Sequence, residues 1–216
     1  MNIIIVGGKG NGTVVLATII DMIQNHNAIY NFIGFVNNNF YNIKEIEGHP
    51  VIGDFSDLEK ICLEKDAFFV NAITSVKTIK DIDKKYRSVF HEYESRLASI
   101  IHPDTFLGYH AKIGKGAFIG PQNYIGQNVI IDELVFIHSH CYIARDAIIG
   151  AFSYLAPKVY IGAESIVGKK VYCGINSLIK ERLTIDDYSI IGMGAIILDN
   201  TEKNSLYYGS KATKRN

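Results

Sequence analysis

A six-residue repeat in the second half of the chain constrains its fold more than any other feature. From Ile101 to Thr201 the first position of every hexad is apolar, through 17 consecutive hexads without an insertion. The second position is Gly in nine hexads, and the fifth is Ala, Ser, Thr, Val or Cys in all but two, Asn123 and Leu183. A period of six fits neither a helix nor a plain strand. It fits a parallel β-helix, in which each hexad forms one short strand and one turn.

The repeat also predicts which side chains face inward. Three flat faces close one coil, so a coil takes 18 residues and the repeat makes just under six coils, roughly 27 Å tall at the spacing of stacked strands. The apolar first position and the small fifth position should point inward, and positions two to four should form the corners. Gly at the second position suits a corner that needs unusual backbone angles.

The first half of the chain alternates between strand and helix patterns. The sequence predicts strands over 2–6, 28–36, 67–73 and 98–101, a short extended piece over 49–53, and helices over 14–25, 56–63 and 75–95. Ser56 is expected to cap the second helix, with Glu59 completing a capping box. This order predicts a small parallel sheet covered by helices. Ligands of such sheets bind at the carboxyl ends of strands, here the turns at 7–12 and 34–39.

Composition excludes several classes of function. The 22 basic and 22 acidic residues give a formal net charge of zero with no basic stripe, which argues against nucleic acid as a partner. The early apolar run Ile3–Val6 is too short to span a membrane and has no basic segment before it, so we expect neither a membrane span nor a signal peptide. Three cysteines form no disulfide framework or CxxC pair, which is typical of free thiols in a reducing cytoplasm.

Several short motifs occur in an order that identifies a family resemblance. They are Gly7-Gly8-Lys9-Gly10-Asn11-Gly12, Gly34-Phe35-Val36-Asn37-Asn38, Pro50-Val51-Ile52-Gly53, Ile101-His102-Pro103, Gly174-Ile175-Asn176-Ser177 and Tyr208-Gly209-Ser210-Lys211-Ala212. Together they resemble the bacterial sugar acyltransferases that join an N-terminal α/β Rossmann-like domain to a left-handed parallel β-helix of hexapeptide repeats. The group includes nucleotide-amino-sugar N-acetyltransferases and sialic acid O-acetyltransferase-like proteins.

The resemblance implies a domain layout and a function. Residues 1–100 would be the Rossmann-like domain that binds the nucleotide sugar, 101–202 the β-helix that binds acyl-CoA and catalyses transfer, and 203–216 a C-terminal tail. The implied activity is transfer of an acyl group, most simply acetyl from acetyl-CoA, to the amine of a nucleotide-linked amino-dideoxy sugar for bacterial surface glycans such as O-antigen. Members are typically cytoplasmic homotrimers that bind acyl-CoA between neighbouring prisms, without a metal.

The family's catalytic triplet is not preserved in this sequence. A gap-free alignment through Gly150–Pro157 places the family's His-acid-Cys triplet on Arg145-Asp146-Ala147, and Arg does not accept a proton near neutral pH. A second family His is Tyr154 here. One hexad earlier, His138 falls where family members place an active-site Asn. An imidazole suits removal of a proton from an attacking amine.

We therefore expect His138 to be the general base, with Asp146 orienting it, Arg145 holding a phosphate, carboxylate or the CoA pyrophosphate, and His140 as a further candidate. The resemblance places the oxyanion donor at the backbone N–H of Ala163. The expected CoA-contacting residues are Tyr154, Ala163, Gly174, Ile175 and Met193. The expected residues for the nucleotide sugar are Gly8, Lys9, Gly10, Asn11, Gly12, Asn37 and Asn38.

Three alternatives remain at this point. The acceptor could be the hydroxyl of a sialic-acid-like sugar, in which case Arg145 could pair with a substrate carboxylate. The chain could instead be a trimer that binds a nucleotide sugar without catalysis, since the family's His is lost. A zinc site at His138, His140 and Cys141 is disfavoured, because Cys141 should point into the prism.

Overall fold

The N-terminal part is built around a small sheet. The computed structural model describes residues 1–74, 76 and 79–209, apart from the side chains of 85, 87–89 and 91–93. Its strands are β1 (Asn2–Val6), β2 (Asn31–Val36), β3 (Glu45–Ile46), β4 (His49–Gly53) and β5 (Ala67–Asn71). They lie in the order β3-β4-β2-β1-β5, and all pairs are parallel except β3 with β4. The predicted parallel sheet is therefore present, with one short antiparallel strand added at its edge.

Helices pack on both sides of this sheet because successive β1 side chains point to opposite faces. The helices are α1 (Asn11–Asn25), α2 (Leu58–Glu64) and α3 (Ile82–Phe90). Ile3 and Ile5 pack with α1, whereas Ile4 and Val6 pack with α2 and α3. Among the described residues, no helix has the length and apolar character needed to cross a bilayer.

Two details of the predicted helices are wrong. A 3-10 turn at Phe55–Asp57 precedes α2, and its cap is Asp54, not Ser56: the Asp54 carboxylate accepts the Ser56 N–H at 2.8 Å, and Asp57 accepts the Asp54 N–H at 3.0 Å. Asp is as good a cap as Ser, and the chain turns two residues earlier than expected. The long predicted helix at 75–95 is broken into α3 and flanking 3-10 turns at Ile79–Asp81 and His91–Arg96.

The second half is the predicted parallel β-helix, with a two-residue strand ending at the first position of each of the 17 hexads. The covered face, which packs against the N-terminal part, contains β6 (Ile100–Ile101), β9 (Phe118–Ile119), β12 (Phe136–Ile137), β15 (Tyr154–Leu155), β18 (Tyr172–Cys173), β21 (Ile190–Ile191) and β23 (Leu206–Tyr207). The tyrosine face contains β7 (Phe106–Leu107), β10 (Tyr124–Ile125), β13 (Tyr142–Ile143), β16 (Tyr160–Ile161), β19 (Leu178–Ile179) and β22 (Ile196–Ile197). The third face contains β8 (Lys112–Ile113), β11 (Ile130–Ile131), β14 (Ile148–Ile149), β17 (Ile166–Val167) and β20 (Thr184–Ile185).

The inward positions behave as the repeat predicts. First-position residues from Ile119 to Ile197 form one continuous core, together with small fifth-position residues. The three cysteines are free and buried, and burial raises the pKa of the Cys141 and Cys173 thiols to about 12. Asn123, an exception at the fifth position, is also buried, where its amide donates to the Gly120 carbonyl at 2.8 Å and accepts the Cys141 N–H at 2.7 Å.

The reason for Gly at the second position differs from the expected one. The left-handed conformation occurs at the fourth position, for example at His140 with φ 61° and Asp146 with φ 59°. At the second position a side chain would instead collide with the next coil: a Cβ on Gly162 would lie 2.3 Å from the Glu181 nitrogen. Gly is selected there by close approach of backbones rather than by backbone angles.

The tail re-enters the prism instead of packing loosely on it. β23 pairs in parallel with β21, sixteen residues after it, and is the seventh strand of the covered face and the eighteenth of the prism. The motif at Tyr208–Ala212 extends beyond the described residues after Gly209.

These contacts predict that glycines at the second position differ in their tolerance of a methyl group. Gly162→Ala should lower the free energy of unfolding by about 1–3 kcal/mol, because the added carbon must displace backbone. Gly120→Ala is the matched control, since its nearest contact would be 3.3 Å away. Urea unfolding followed by circular dichroism measures both, and equal losses would contradict the close-approach explanation.

Candidate active site

A chain of hydrogen bonds joins the start of α1 to the β-helix. Asn11, the first residue of α1, donates from Nδ2 to the Thr74 carbonyl at 2.7 Å. Its Oδ1 accepts from the Tyr154 hydroxyl at 3.3 Å, and that hydroxyl lies 2.6 Å from Nε2 of His138. The sequence had assigned these side chains to three separate roles, and the structure brings them into one network.

The network fixes the tautomer of His138. The Thr74 carbonyl can only accept, so the Asn11 amide must turn its NH₂ toward Thr74 and its oxygen toward Tyr154. The Tyr154 hydroxyl therefore donates to Asn11, and its oxygen accepts from Nε2–H of His138. The lone pair of the imidazole is then on Nδ1. A general base requires a neutral imidazole in which one nitrogen is held by a hydrogen bond and the other has a free lone pair.

Burial sets the charge of these groups. It lowers the pKa of His138 to about 4, so the imidazole is neutral near pH 7. Burial also raises the pKa of Tyr154 to about 12, so the phenol keeps its proton and remains a donor. Tyr154 lies beneath α1 with only 9% of its surface exposed. It is positioned behind His138, not on the outer groove where the sequence had placed it as a CoA contact.

The glycine-rich turn before α1 is held close to the end of β2. The Gly7 N–H donates to Val36 at 3.0 Å, and Nδ2 of Asn37 donates to the Gly7 carbonyl at 2.9 Å. A Cβ on Gly8 would lie 2.5 Å from that Asn37 nitrogen, so a larger residue would displace the Asn37 side chain from this hydrogen bond. Asn37 therefore holds the turn itself, whereas Asn38 is exposed beside it.

The amino end of α1 presents unneutralised N–H groups. Gly10 is the N-cap with φ 91°, and α1, whose residues are all described, has no acidic side chain in its first turn and no side-chain cap. Lys9 and Gly10 are exposed, and Gly12 is buried. A helix start of this kind favours an anion such as a diphosphate.

His138 lies at the corner that follows the covered face, here called the first corner, and the end of this corner nearer the first coils is called its upper end. At its upper end is a cavity of about 290 Å³ between α1 and the prism. Its lining residues are Val14, Ala17, Thr18, Asp21, His102, Phe118, Gly120, Pro121, His138 and Ser139. The predicted CoA contacts Gly174, Ile175 and Met193 lie on this same corner two and three coils below His138, and Ile175 and Met193 are exposed.

The upper end of the cavity is closed by a charged cluster that the sequence did not predict. Nε2 of His102 lies 2.7 Å from Oδ2 of Asp21, and Nε2 of His26 lies 3.5 Å from the same oxygen. The three side chains could converge on a cation. However, Nδ1 of His102 accepts the Asp104 N–H at 3.1 Å, so Nε2 carries the proton and donates to Asp21. This protonation state disfavours metal ligation by His102.

Arg145 and Asp146 occupy the next corner of the prism, between the tyrosine face and the third face. The Arg145 guanidinium contacts Asp146 and lies 2.9 Å from Glu164. Asp146 also accepts from Asn128 at 2.8 Å, and this hydrogen bond, followed by Arg145, lowers the pKa of Asp146. Within one chain Asp146 does not contact His138, because the two residues lie on different corners, and the role of Asp146 in orienting His138 stays a prediction.

The remaining predicted residues divide between the two corners. Ala163 lies one coil below Arg145, and a groove of about 430 Å³ is lined by both residues and by Tyr124, Tyr142 and Tyr160. His140 also lies at the first corner, as the fourth residue of its hexad, and its side chain is exposed. Its backbone N–H donates to the Pro121 carbonyl at 3.3 Å. The structure does not bring its side chain into the His138 network.

The buried His138 makes the stability of the fold depend on pH. The folded pKa lies near 4, below the usual 6.5, so between these values the unfolded chain binds a proton that the folded chain does not. The free energy of unfolding should therefore fall as the pH drops from about 6.5 toward 4. His138→Asn should flatten this slope in urea titrations near pH 7 and pH 5. His140→Asn, exposed on the same corner, is the control; a similar slope in wild type and His138→Asn would refute this prediction.

Comparisons with known proteins identify the fold. Residues 101–205, just under half of the chain, match the family model of the GMPPB C-terminal domain. PerB from Caulobacter crescentus, solved with CoA and GDP-perosamine, superposes with a TM-score of 0.81 at 21% identity, covering 97% of this chain and 94% of PerB. WeeI from Acinetobacter baumannii AYE gives 0.80 at 19%, covering 97% of both chains. The acetyltransferase domain of PglB from Neisseria gonorrhoeae FA1090 gives 0.77 at 17%, covering 96% of both.

The sequence itself has no significant match among curated proteins. The structural likeness nevertheless covers both halves of the chain. The chain therefore shares the fold of the left-handed β-helix sugar acyltransferases, and the resemblance indicated by its motifs is confirmed.

Proposed function

We propose that the protein is an N-acyltransferase that moves the acyl group of an acyl-CoA, such as acetyl-CoA, to the amine of a nucleotide-linked amino sugar. The observation that carries this proposal is the hydrogen-bonded chain from Thr74 through Asn11 and Tyr154 to His138. It holds a neutral imidazole beside a cavity and near a helix start that has no acidic side chain. The structural relatives solved with CoA and GDP-perosamine support the same class of reaction.

The proposed reaction is a direct attack on the thioester. The sugar amine forms a bond to the acyl carbon, and the carbon–sulfur bond breaks when the tetrahedral intermediate collapses. The nitrogen becomes strongly acidic as it attacks, so even a weak base can take its proton. Nδ1 of His138 accepts that proton and returns it to the departing CoA thiolate. Neighbouring Tyr154 is a positioning residue, because it acts only through the imidazole.

We propose that each substrate uses one part of the chain. The turn at Gly8–Gly12 and the start of α1 would bind the diphosphate, with Asn38 near the ribose or base and Asn37 supporting the turn. Acetyl-CoA would lie along the first corner past Gly174, Ile175 and Met193. This places the thioester next to His138. A Rossmann-like nucleotide-binding role for residues 1–100 is part of this proposal.

A second copy of the chain is needed to complete the site. The Ala163 N–H makes no backbone hydrogen bond among the described residues and could hold the developing oxyanion, but it lies on a different corner from His138. The tyrosine face beside it is an exposed column in which Tyr142 stacks on Tyr124 at 4.6 Å and on Tyr160 at 4.9 Å. An exposed apolar face of this kind suits a subunit contact. In a homotrimer it would bring Arg145 and Ala163 of one copy to His138 of the next.

The central prediction concerns the base and its support. His138→Ala should reduce kcat at least 100-fold in a transfer assay with acetyl-CoA and UDP-, dTDP- or GDP-linked amino sugars, because the proton acceptor is lost. Tyr154→Phe should reduce kcat about tenfold with little change in the KM for acetyl-CoA. Nitrogen-15 NMR should show that His138 loses its fixed Nε2–H tautomer in this variant.

The matched control for this assay is His140→Ala. It changes an exposed imidazole two residues away and should retain wild-type turnover. Transfer by His138→Ala at the wild-type rate would overturn the base assignment. If a hydroxyl of a sialic-acid-like sugar is acetylated and the amino sugars are not, the O-acetyltransferase alternative holds.

The assembly is tested separately. The wild-type protein should elute with a light-scattering mass three times that of the 24.1 kDa chain. Tyr142→Arg should lower that mass to one chain and abolish transfer, because a charge would have to be buried between two tyrosine columns. A Lys169→Arg variant, remote from this face, should remain trimeric. A monomeric wild-type protein with full activity would contradict the shared site.

A non-catalytic role has a simple signature. A ligand that binds the folded state raises its stability. If a nucleotide sugar raises the melting temperature but saturating acyl-CoA does not, the chain is a sugar-nucleotide-binding module and not a transferase.

A further inference from the structure

We propose that the cavity at the upper end of the first corner is an acyl pocket, and that the preferred donor carries an uncharged linear acyl chain longer than acetyl, such as butyryl. The inference rests on the function proposed above. It adds the class of acyl group, which neither the sequence motifs nor the fold specifies.

The position of the cavity follows from the stacking of coils. Residues 18 apart lie directly above one another, so Met193, Ile175, Pro157, Ser139 and Pro121 form one column along the first corner. A CoA arm that follows the lower part of this column reaches His138 with its thioester. The next space in the same direction, beyond the acyl carbon, is the cavity beside Ser139 and Pro121. The part of the donor that lies beyond the reacting carbon is the acyl chain.

The size of the cavity exceeds what acetyl needs. Its volume is about 290 Å³. A methyl group occupies space comparable to that of one water molecule, about 30 Å³. An acetyl group would leave most of this space to water against apolar walls, whereas each further carbon of a longer chain would displace part of that water.

The chemistry of the walls favours hydrocarbon over sugar. Val14, Ala17, Phe118 and Pro121 contribute apolar side chains along the length of the cavity. The hydroxyl of Thr18 is already used, since it donates to the Val14 carbonyl at 2.9 Å. A hexose would have its hydroxyl groups unpaired against these surfaces, which is costly. An alkyl chain loses nothing there and gains from burial.

The far end of the cavity disfavours an acyl chain that ends in a carboxylate. Asp21 faces it, and hydrogen bonds from Asn25 and then His102 lower the pKa of this carboxylate, so it stays ionised. Asp104 lies in the same cluster, 3.6 Å from His26. A dicarboxylic acyl group such as succinyl would bring a third carboxylate toward this end.

Calorimetric titration of CoA, acetyl-CoA, butyryl-CoA and succinyl-CoA into the full-length protein tests the pocket without relying on turnover. Each buried methylene strengthens binding about fourfold when fully covered. We expect butyryl-CoA to bind about tenfold more tightly than acetyl-CoA, and succinyl-CoA more weakly than butyryl-CoA. The kcat/KM values for transfer should rank in the same order.

Three variants test whether the acyl chain binds in this cavity. Ala17→Leu places a larger side chain in the cavity and should bring the ratio of butyryl-CoA to acetyl-CoA affinity close to one. Gln24→Leu makes the same kind of change on an exposed residue of α1 that does not line the cavity, and should keep the tenfold ratio. Asp21→Asn should improve binding of succinyl-CoA relative to butyryl-CoA.

The outcomes separate this inference from the function on which it rests. Equal or weaker binding of butyryl-CoA, or a tenfold ratio that persists in Ala17→Leu, would overturn the acyl pocket while leaving an acetyltransferase intact. Failure of every CoA ester to bind would overturn the proposed function, and the pocket with it.

Discussion

Every feature of the site depends on one constraint: the chain must return to the same face of the prism every 18 residues. Parallel strands in register then place like positions one above another. On the covered face this stacks Phe118, Phe136, Tyr154 and Tyr172, with ring centroids 4.4, 5.5 and 5.0 Å apart. The upper part of this aromatic column is the surface on which α1 rests. The same rule puts His138 at the edge of that surface, where helix and prism meet.

This packing determines the chemistry of His138. Burial against α1 and the prism lowers the pKa of the imidazole. The hydrogen bond between Nε2 and the Tyr154 hydroxyl leaves Nδ1 as the basic atom. The imidazole is therefore neutral near pH 7 and oriented, which suits the proposed base at the cost of low basicity. The resemblance described above implies a His-acid pair at the positions of Arg145 and Asp146. In this chain those residues form an ion-pair network with Glu164 and Arg182 instead. The proposed proton acceptor and this ion-pair network therefore lie on different corners of one chain.

Most of the fold could be predicted from the sequence, because a six-residue period admits few structures. Less of the site could be predicted. The link from Asn11 to Tyr154 joins residues 143 apart, and no local pattern indicates it. The repeat does give one indication of the contact between Tyr154 and His138. It pairs Tyr154 with Phe136 of the coil above, and His138 lies two residues after Phe136. Asp146 was paired with His138 because it aligns with the acid of the family's catalytic triplet, yet the eight residues between them carry the chain to the next corner. The repeat correctly indicates that the second position of the hexad needs glycine, but the left-handed backbone conformation lies at the fourth position.

The last coil has a consequence for how the molecule meets its own copies. A β-helix ends in rows of unpaired backbone groups, and another prism could add to them end to end. Here β23 closes the covered face after sixteen residues rather than eighteen. On the third face the tail caps β20, since the Thr201 N–H donates to the Thr184 carbonyl at 3.0 Å and the Asn200 side chain accepts the Thr184 N–H at 2.8 Å. The shortened coil breaks the register that a following coil would need, which disfavours the end-to-end addition of another prism.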